Sequence, residues 1–293
     1  MMKYWWESVR TTAYWRYALF SGEAVAKFFS ALGVLYLLIN LADTFKIYEK
    51  GKYSNYGILI LIALAFAFVM FTRRPVSRVS YKVPKKDYSF EVKISDLFKE
   101  SGEIIISSNT TFDTDMSSGL ISTGSLQGQF ATRFFNGQTA DIDRQIEESL
   151  LRENYVLVKG KPGKLKKYPL GTVARVSAHG KNFYFVAMSD INSEGTAFSN
   201  GRMLDEALEG LWINMARKAE LGDVVMPLMG TGRGRVAIPR KKIIERIAQS
   251  FADASQERVF SNKLSIIVRP EDASKFSLNL FQVRDYLSQS LNS

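Results

Sequence analysis

MPLMGTGRGR, residues 226–235, is the stretch on which the fold turns. Residues 223–228 read as a strand that enters it, and Gly230, Gly232 and Gly234 follow at close spacing. Residues 240–254 then repeat Ile243, Ile244, Ile247 and Phe251 at helical spacing. A strand that reaches a helix through closely spaced glycines is a βα unit. Glycines let backbone N–H groups approach an anion with no Cβ in the way. The helix N-terminus adds partial positive charge, and Arg233 and Arg235 add full charge. The string is not G-x-G-x-x-G, it lies late in the chain, and it lacks the Gly-Lys-Ser/Thr ending of a P-loop. A tight turn is the plain alternative. Glycine spacing and basic flanks together favour a phosphate loop made of Gly230, Thr231, Gly232, Arg233 and Gly234.

Outward from this unit, strand and helix signals alternate. Residues 88–94 (YSFEVKI) alternate as a strand does, and 103–107 (EIIIS) form a short buried-strand run. Residues 142–154 carry a helical charge pattern. Residues 172–177 and 182–188 read as two strands joined by a turn at His179-Gly180. Residues 203–221 form an amphipathic helix, 264–268 a last strand and 273–288 a last helix. Interleaved strands and helices predict an α/β fold, a three-layer domain around a mixed sheet.

A second constellation follows the strand at 103–107: SSNTTFDTDMSSGLISTGSLQGQF, residues 107–130. A polar stretch this long inside a compact domain points to function. Asn109 stands at a strand's carboxyl end, where open α/β sheets bind ligands; its amide can donate to and accept from hydroxyls. Thr110 beside it is a further candidate contact. Gly124, Ser125 and Gly128 offer a second phosphate-facing backbone segment, with a plain surface loop as the alternative. Asp113 and Asp115 are the carboxylates of this loop, equally readable as solvated acids.

The 293 residues contain no cysteine, which excludes disulfides and thiolate metal sites. The single histidine, His179, excludes His-cluster metal sites and reads as a turn residue. No metal, no cofactor and no catalytic group is assigned. The net charge of +10 raises nucleic acid as a partner. Much of the excess, however, follows an apolar run, where anionic lipid explains it. Lys159, Lys161, Lys164, Lys166 and Lys167 form a second basic patch, readable as a solvated loop or a polyanion contact.

Two uncharged apolar runs precede all of this, residues 28–42 (FFSALGVLYLLINLA) and 57–71 (GILILIALAFAFVMF). Each is about 15 residues long, and flanking residues extend it toward the roughly 20 that cross a bilayer core. Tyrosine and tryptophan cluster at their edges, as at a headgroup layer. Arg73, Arg74, Arg78, Lys82, Lys85 and Lys86 follow the second run before any acid. By the positive-inside rule this predicts a transmembrane helical hairpin with both termini cytoplasmic and residues 46–56 outside. A pair of buried core helices is the alternative. The predicted organisation is a membrane hairpin at 1–74, a basic linker at 75–86 and a nucleotide-binding domain at 87–293.

Taken together, the two loops resemble those of the macro domain, the ADP-ribose-binding family. Ile94-Ser95-Asp96-Leu97 resembles the family's Gly-Asp-Ile segment, whose aspartate receives the adenine amino group. Ile106-Ser107-Ser108-Asn109 resembles its Val-Asn-Ala-Ala-Asn stretch, whose last asparagine faces the distal ribose. Residues 122–129 resemble the first phosphate loop and 229–234 the second. The first loop lacks a Gly-Gly-Gly run and the acid pair of poly(ADP-ribose) hydrolases, so the resemblance implies a binder and no enzyme. A membrane hairpin ahead of a macro domain looks like the membrane-anchored effector of a bacterial Thoeris anti-phage system. That resemblance implies a TIR-domain enzyme that supplies an ADP-ribose-derived signal, a histidine conjugate in one branch. It further implies a homo-oligomer in the inner membrane that acts on the lipid bilayer, without nucleic acid. A membrane-anchored ADP-ribosyl hydrolase using Asp113 or Asp115 is the alternative, and a lipid- or nucleic-acid-binding module is a third reading.

Overall fold

A computed structural model describes the chain apart from residues 1, 11, 48–53, 219–221, 231–235, 277 and 292–293. Its contacts divide it into two units, Met1–Ser77 with Ala273–Gln282, and Arg78–Asp272 with Val283–Ser293.

The first unit carries helices α1 (Met2–Val9), α2 (Thr12–Phe20), α3 (Gly22–Thr44) and α4 (Ser54–Thr72). Ser21 caps α3, its hydroxyl accepting from the Ala24 N–H at 3.3 Å, and Glu23 favours the same helix end. With 23 residues and a mean hydropathy of 1.8, α3 is long and apolar enough to cross a membrane; at 1.5 Å per residue it runs about 34 Å. The second apolar stretch, Tyr56–Thr72, is a shorter helix. The two helices pack against each other and leave Leu37, Leu38, Leu41, Ile58, Leu59 and Ile60 exposed. So much contiguous apolar surface marks contact with lipid or protein. The predicted external loop falls largely on residues 48–53, outside the described residues. Arg73, counted above among the flanking cations, has a structural role in this unit. Its guanidinium is buried, donating to Tyr17 O at 3.2 Å, Ser21 Oγ at 3.0 Å and Glu23 at 3.0 Å, with its carbon 3.9 Å from the Tyr17 ring centre.

The second unit opens with β1 (Arg78–Lys82), β2 (Ser89–Ile94), a 3-10 turn (Leu97–Lys99), β3 (Glu103–Asn109), α5 (Leu126–Phe135) and α6 (Ala140–Ser149). It continues with β4 (Val156–Leu157), β5 (Lys166–Lys167), β6 (Val173–Ala178), β7 (Lys181–Ile191), β8 (Ala197–Phe198), α7 (Gly201–Lys218), β9 (Val224–Pro227), α8 (Arg240–Glu257) and β10 (Lys263–Val268). The chain closes with α9 (Pro270–Lys275) and α10 (Leu280–Ser290), whose residues are shared between the units. The main sheet has the order β1-β2-β10-β9-β3-β7-β6, with β8 paired to β7. The central five strands run parallel and β1 and β6 antiparallel, which is the mixed sheet the pattern predicts.

Both faces are covered, so the inner strands are apolar throughout: Ile104, Ile105 and Ile106 are fully buried. On one face Phe130, Ile142 and Ile146 of α5 and α6 pack on Ile104, Ile106, Phe183 and Phe185. On the other, Trp212 of α7 meets Phe251 of α8 edge-on at 5.3 Å, and Phe251 meets Phe90 at 5.6 Å.

Three local expectations change. Residues 78–82, inside the stretch read as a linker, form the edge strand β1 because Val79 turns inward against β2. The loop at 107–130 ends earlier than its composition suggests, with α5 starting at Leu126 under a Ser125 cap. The single last helix is two, broken where Asn279 accepts from the Phe281 and Gln282 N–H groups and so starts α10 afresh.

Candidate functional site

A cleft of about 390 Å³ opens at the carboxyl ends of β3, β7, β9 and β10. That is within the range of small-molecule sites, roughly 300–1,000 Å³. Its floor is Ser107, Ser108 and Asn109 of β3 with Met188 and Ser189 of β7; its walls are residues 120–127 ahead of and within α5, residues 227–230 after β9, and Ile267, Arg269 and Asp272.

Asn109 sits in this cleft and is buried. Its Oδ1 accepts from Thr111 N–H at 3.0 Å, Thr111 Oγ1 at 3.1 Å and Asp113 N–H at 3.1 Å. The carbonyl therefore organises the loop, and these bonds leave the Nδ2 amide of this cleft-lining residue unengaged. Beside it the buried Ser108 Oγ has no hydrogen-bond partner among the described residues, an orphan that a ligand would satisfy. Gly124 and Ser125 line the cleft. Ser125 caps α5: its hydroxyl accepts from the Gly128 N–H at 3.0 Å. The Leu126 and Gln127 N–H groups belong to this first turn, where helix-end donors lack intrahelical partners and suit an anion. Gly230 closes the opposite wall with φ +71, a conformation glycine adopts freely, and a Cβ there would meet Val236 at 2.7 Å. Thr231, Gly232, Arg233 and Gly234, and Arg235 after them, lie outside the described residues.

Three candidates have other duties. Asp96 is absent from the described cleft lining. Its carboxylate accepts from Arg133 at 2.6 Å and caps the 3-10 turn at the Phe98 N–H, one bond to each oxygen. Thr110 donates to Asp190 at 2.9 Å and its carbonyl accepts from the Tyr168 N–H at 2.8 Å; it ties strands together. Gly128 lies inside α5, where its N–H is taken by the cap and a Cβ would stand 2.3 Å from Ser122 O. It is a packing glycine, and no phosphate-facing one.

The loop acids also turn away. Asp113 is buried, accepting from Lys164 N–H at 2.6 Å and from Thr111 Oγ1, with Lys161 Nζ at 3.8 Å. Exposed Asp115 accepts from the Ser117 hydroxyl and N–H and from Ser118, which hold its pKa down to about 2. Asp190 is more enclosed. Burial alone would raise its pKa, but donors from Lys167, the Ile191 N–H and Thr110 outweigh it and hold the carboxyl below its ordinary value. The lysine patch is thus largely committed: Lys161 to Thr111, Lys164 to Phe112 O and Asp143, Lys167 to Asp190.

Sequence reading passes over Arg269 and Asp272, which line the cleft as an ion pair at 3.0 Å. The signal was present in Arg-Pro-Glu-Asp directly after the last strand, with Pro270 opening α9. The site offers an amide donor, free helix-end N–H groups, one charge pair and apolar walls. Among the described lining residues Asp272 is the sole carboxylate, and it is already paired. Such a set suits holding a neutral-edged, phosphate-bearing ligand better than moving protons. Among the described residues no group of three or more His, Cys, Asp or Glu is placed to hold a metal ion.

Comparison with known proteins adds the family. A family model described as the Thoeris protein ThsA, Macro domain, matches residues 90–269, more than half of the chain. A Thoeris protein ThsA from Bacillus amyloliquefaciens (strain Y2) is 25% identical over 209 residues, covering 69% of this chain and 68% of its own. Among solved structures, the Oceanobacillus iheyensis macrodomain with MES bound aligns with a TM-score of 0.48 at 14% identity, covering 72% of this chain and 98% of that one. The same organism's macrodomain with ADP aligns with a TM-score of 0.42 at 13% identity, over 74% and 98%.

Proposed function

The chain belongs to the Thoeris ThsA macro-domain family, and on that premise we propose that its cleft binds an ADP-ribose-derived signal and that its apolar N-terminal helices carry the response into a membrane. The observation that carries the reading is the Asn109 amide. It is held rigidly by three hydrogen bonds through its own oxygen, at a strand's carboxyl end, facing a cleft of nucleotide size. The Nδ2 group donates to a ribose hydroxyl. The first-turn N–H groups of α5 serve one phosphate, and Gly230 stands on the opposite wall of the cleft.

The protein acts as a sensor and not as an enzyme. Asp113 is paired with Lys161 and Asp115 caps a turn, so neither supplies a general base to the cleft. A TIR-domain enzyme makes the signal, a histidine conjugate of ADP-ribose. The sensor is an oligomer in the inner membrane with both termini cytoplasmic and the second apolar helix completing a hairpin with α3. Ligand shifts the population between two arrangements of those helices by its differential affinity for them.

Calorimetric titration of the detergent-solubilised full chain with ADP-ribose and with its histidine conjugate, followed by chromatography of the nucleotide, tests this. Saturable heat with unchanged nucleotide is expected. Consumption of the nucleotide would replace the sensor by a hydrolase, and absence of heat from folded protein would end both.

A further inference from the structure

The ribbon formed by β4 and β5 leaves large apolar side chains exposed while several of its lysines are tied to the protein. Three of its five lysines turn toward the protein: Lys161 has a side chain only 8% exposed and reaches Thr111 at 2.8 Å, Lys164 reaches Phe112 O at 3.0 Å and Asp143, and Lys167 pairs with Asp190. Its large apolar side chains point out: Leu157 is 68% exposed, Val156 61%, Leu165 53% and Tyr155 48%, with Leu151 at 80% just before them. Ion pairs tucked inside and aliphatic groups left outside both run against the usual preference. Single exposed hydrophobic residues need no account, but a contiguous set does. Tyr155 and Leu157 form such a set on the outer face, since Leu157 pairs with Lys166 across the ribbon and Lys166 lies against the Tyr155 ring, while Val156 and Leu165 are exposed on the face of Lys167. The lysine ties fix the ribbon to the loop after β3, to α6 and to β7, so the face with Tyr155 and Leu157 is held outward.

We propose that this outer face rests on an anionic lipid surface. Its charge favours that occupant. Lys159 and Lys166 are exposed along the apolar strip, and Lys166 lies 5.0 Å from the Tyr155 ring centre. Arg152 is exposed as well, and Glu153 is the one acid among residues 151–159. Leucine rimmed by lysine, with an amphipathic tyrosine beside it, is the composition of an interfacial contact. A second copy of the same face would set Lys159 and Lys166 against like charge. The inference goes beyond the proposed function and takes from it only that a bilayer is at hand.

The chain has no cysteine, so Leu157→Cys in the full-length protein accepts one environment-sensitive NBD label. Arg217→Cys, near the far end of α7, serves as control. The labelled proteins are reconstituted in phosphatidylcholine vesicles with and without phosphatidylglycerol. A blue shift at residue 157, quenched by spin-labelled lipid, is expected in the anionic vesicles and not at residue 217. Lys159→Glu with Lys166→Glu should reverse it. An inserted chain whose residue-157 label stays in water in both vesicles overturns the inference and leaves the membrane reading intact. A blue shift in detergent that grows with protein concentration assigns the face to a second copy and overturns it as well. A chain that does not insert but sediments with anionic vesicles through this face keeps the inference and breaks the membrane-span reading; one that does neither breaks both.

Discussion

At the scale of single residues, the proposed site rests on one side chain that divides its two polar atoms. Asn109 Oδ1 serves the loop, and on the proposed reading Nδ2 serves the ligand. Asn109→Asp keeps the acceptor and removes the donor, so it should leave the melting temperature nearly unchanged while nucleotide affinity falls by about tenfold or more, the loss expected when a site group is left unpaired. Calorimetry beside a thermal melt checks it; undiminished affinity would remove Asn109 from the site. Asn109 is legible in the sequence because its position follows from a local pattern, the end of a strand. Asp96 has the same local setting, yet its carboxylate is claimed by Arg133, a partner distant in sequence that no local pattern reveals. Distant partners likewise explain Thr110 and Asp113.

Asp190 illustrates the same distance in its titration. Its folded pKa lies below the ordinary value because Lys167, the Ile191 N–H and Thr110 together outweigh burial. A depressed carboxyl pKa contributes stability that is complete above the unfolded value, about 3.9, and is lost as pH falls through the lower folded value. Asp190→Asn should therefore lower the urea midpoint at about pH 7 and narrow the drop between about pH 7 and about pH 3. An unaltered drop would mean that the Lys167–Asp190 pair contributes nothing net.

Among the elements, α5 is the one that composition conceals. Its first turn is Leu-Gln-Gly-Gln, and glycine inside a helix argues against one. The tertiary reason for that glycine is the closeness of residues 122–123, where a Cβ would meet Ser122 O at 2.3 Å and Thr123 Cα at 2.8 Å. Backbone cannot yield as a flexible side chain does. Gly128→Ala should cost about 1–3 kcal/mol through overpacking, and it should weaken nucleotide binding by moving the cleft wall. Gly124→Ala meets only Ser122 Oγ at 3.8 Å and should be tolerated. Equal melting temperatures for the two variants would contradict the packing role. The β6–β7 hairpin shows the opposite case. His179 and Gly180 have φ of 48 and 73, so the two-residue turn announced by the dipeptide is the one that forms.

For the whole molecule, the alternation of strand and helix was enough to give the mixed α/β sheet, because burial on both faces writes apolar runs directly into the sequence. What the sequence leaves open is assembly. The helix α3 has the length and apolarity of a span, but its shorter neighbour is legible only as an apolar helix. Arg73 belongs to this scale too, since Tyr17, Ser21 and Glu23 surround it where α2, α3 and α4 converge. Arg73→Met should loosen that junction; limited proteolysis near residue 21 should accelerate, with nucleotide affinity unchanged, and unchanged cleavage would remove the latch.

The central claim is that nucleotide in the cleft releases a membrane response. Full-length protein reconstituted in vesicles loaded with a self-quenched dye, then exposed to the histidine conjugate of ADP-ribose, tests it directly. Dye release that depends on the nucleotide and vanishes in Asn109→Asp is the predicted result. Release of equal extent without nucleotide, or from the Asn109→Asp protein, would contradict it.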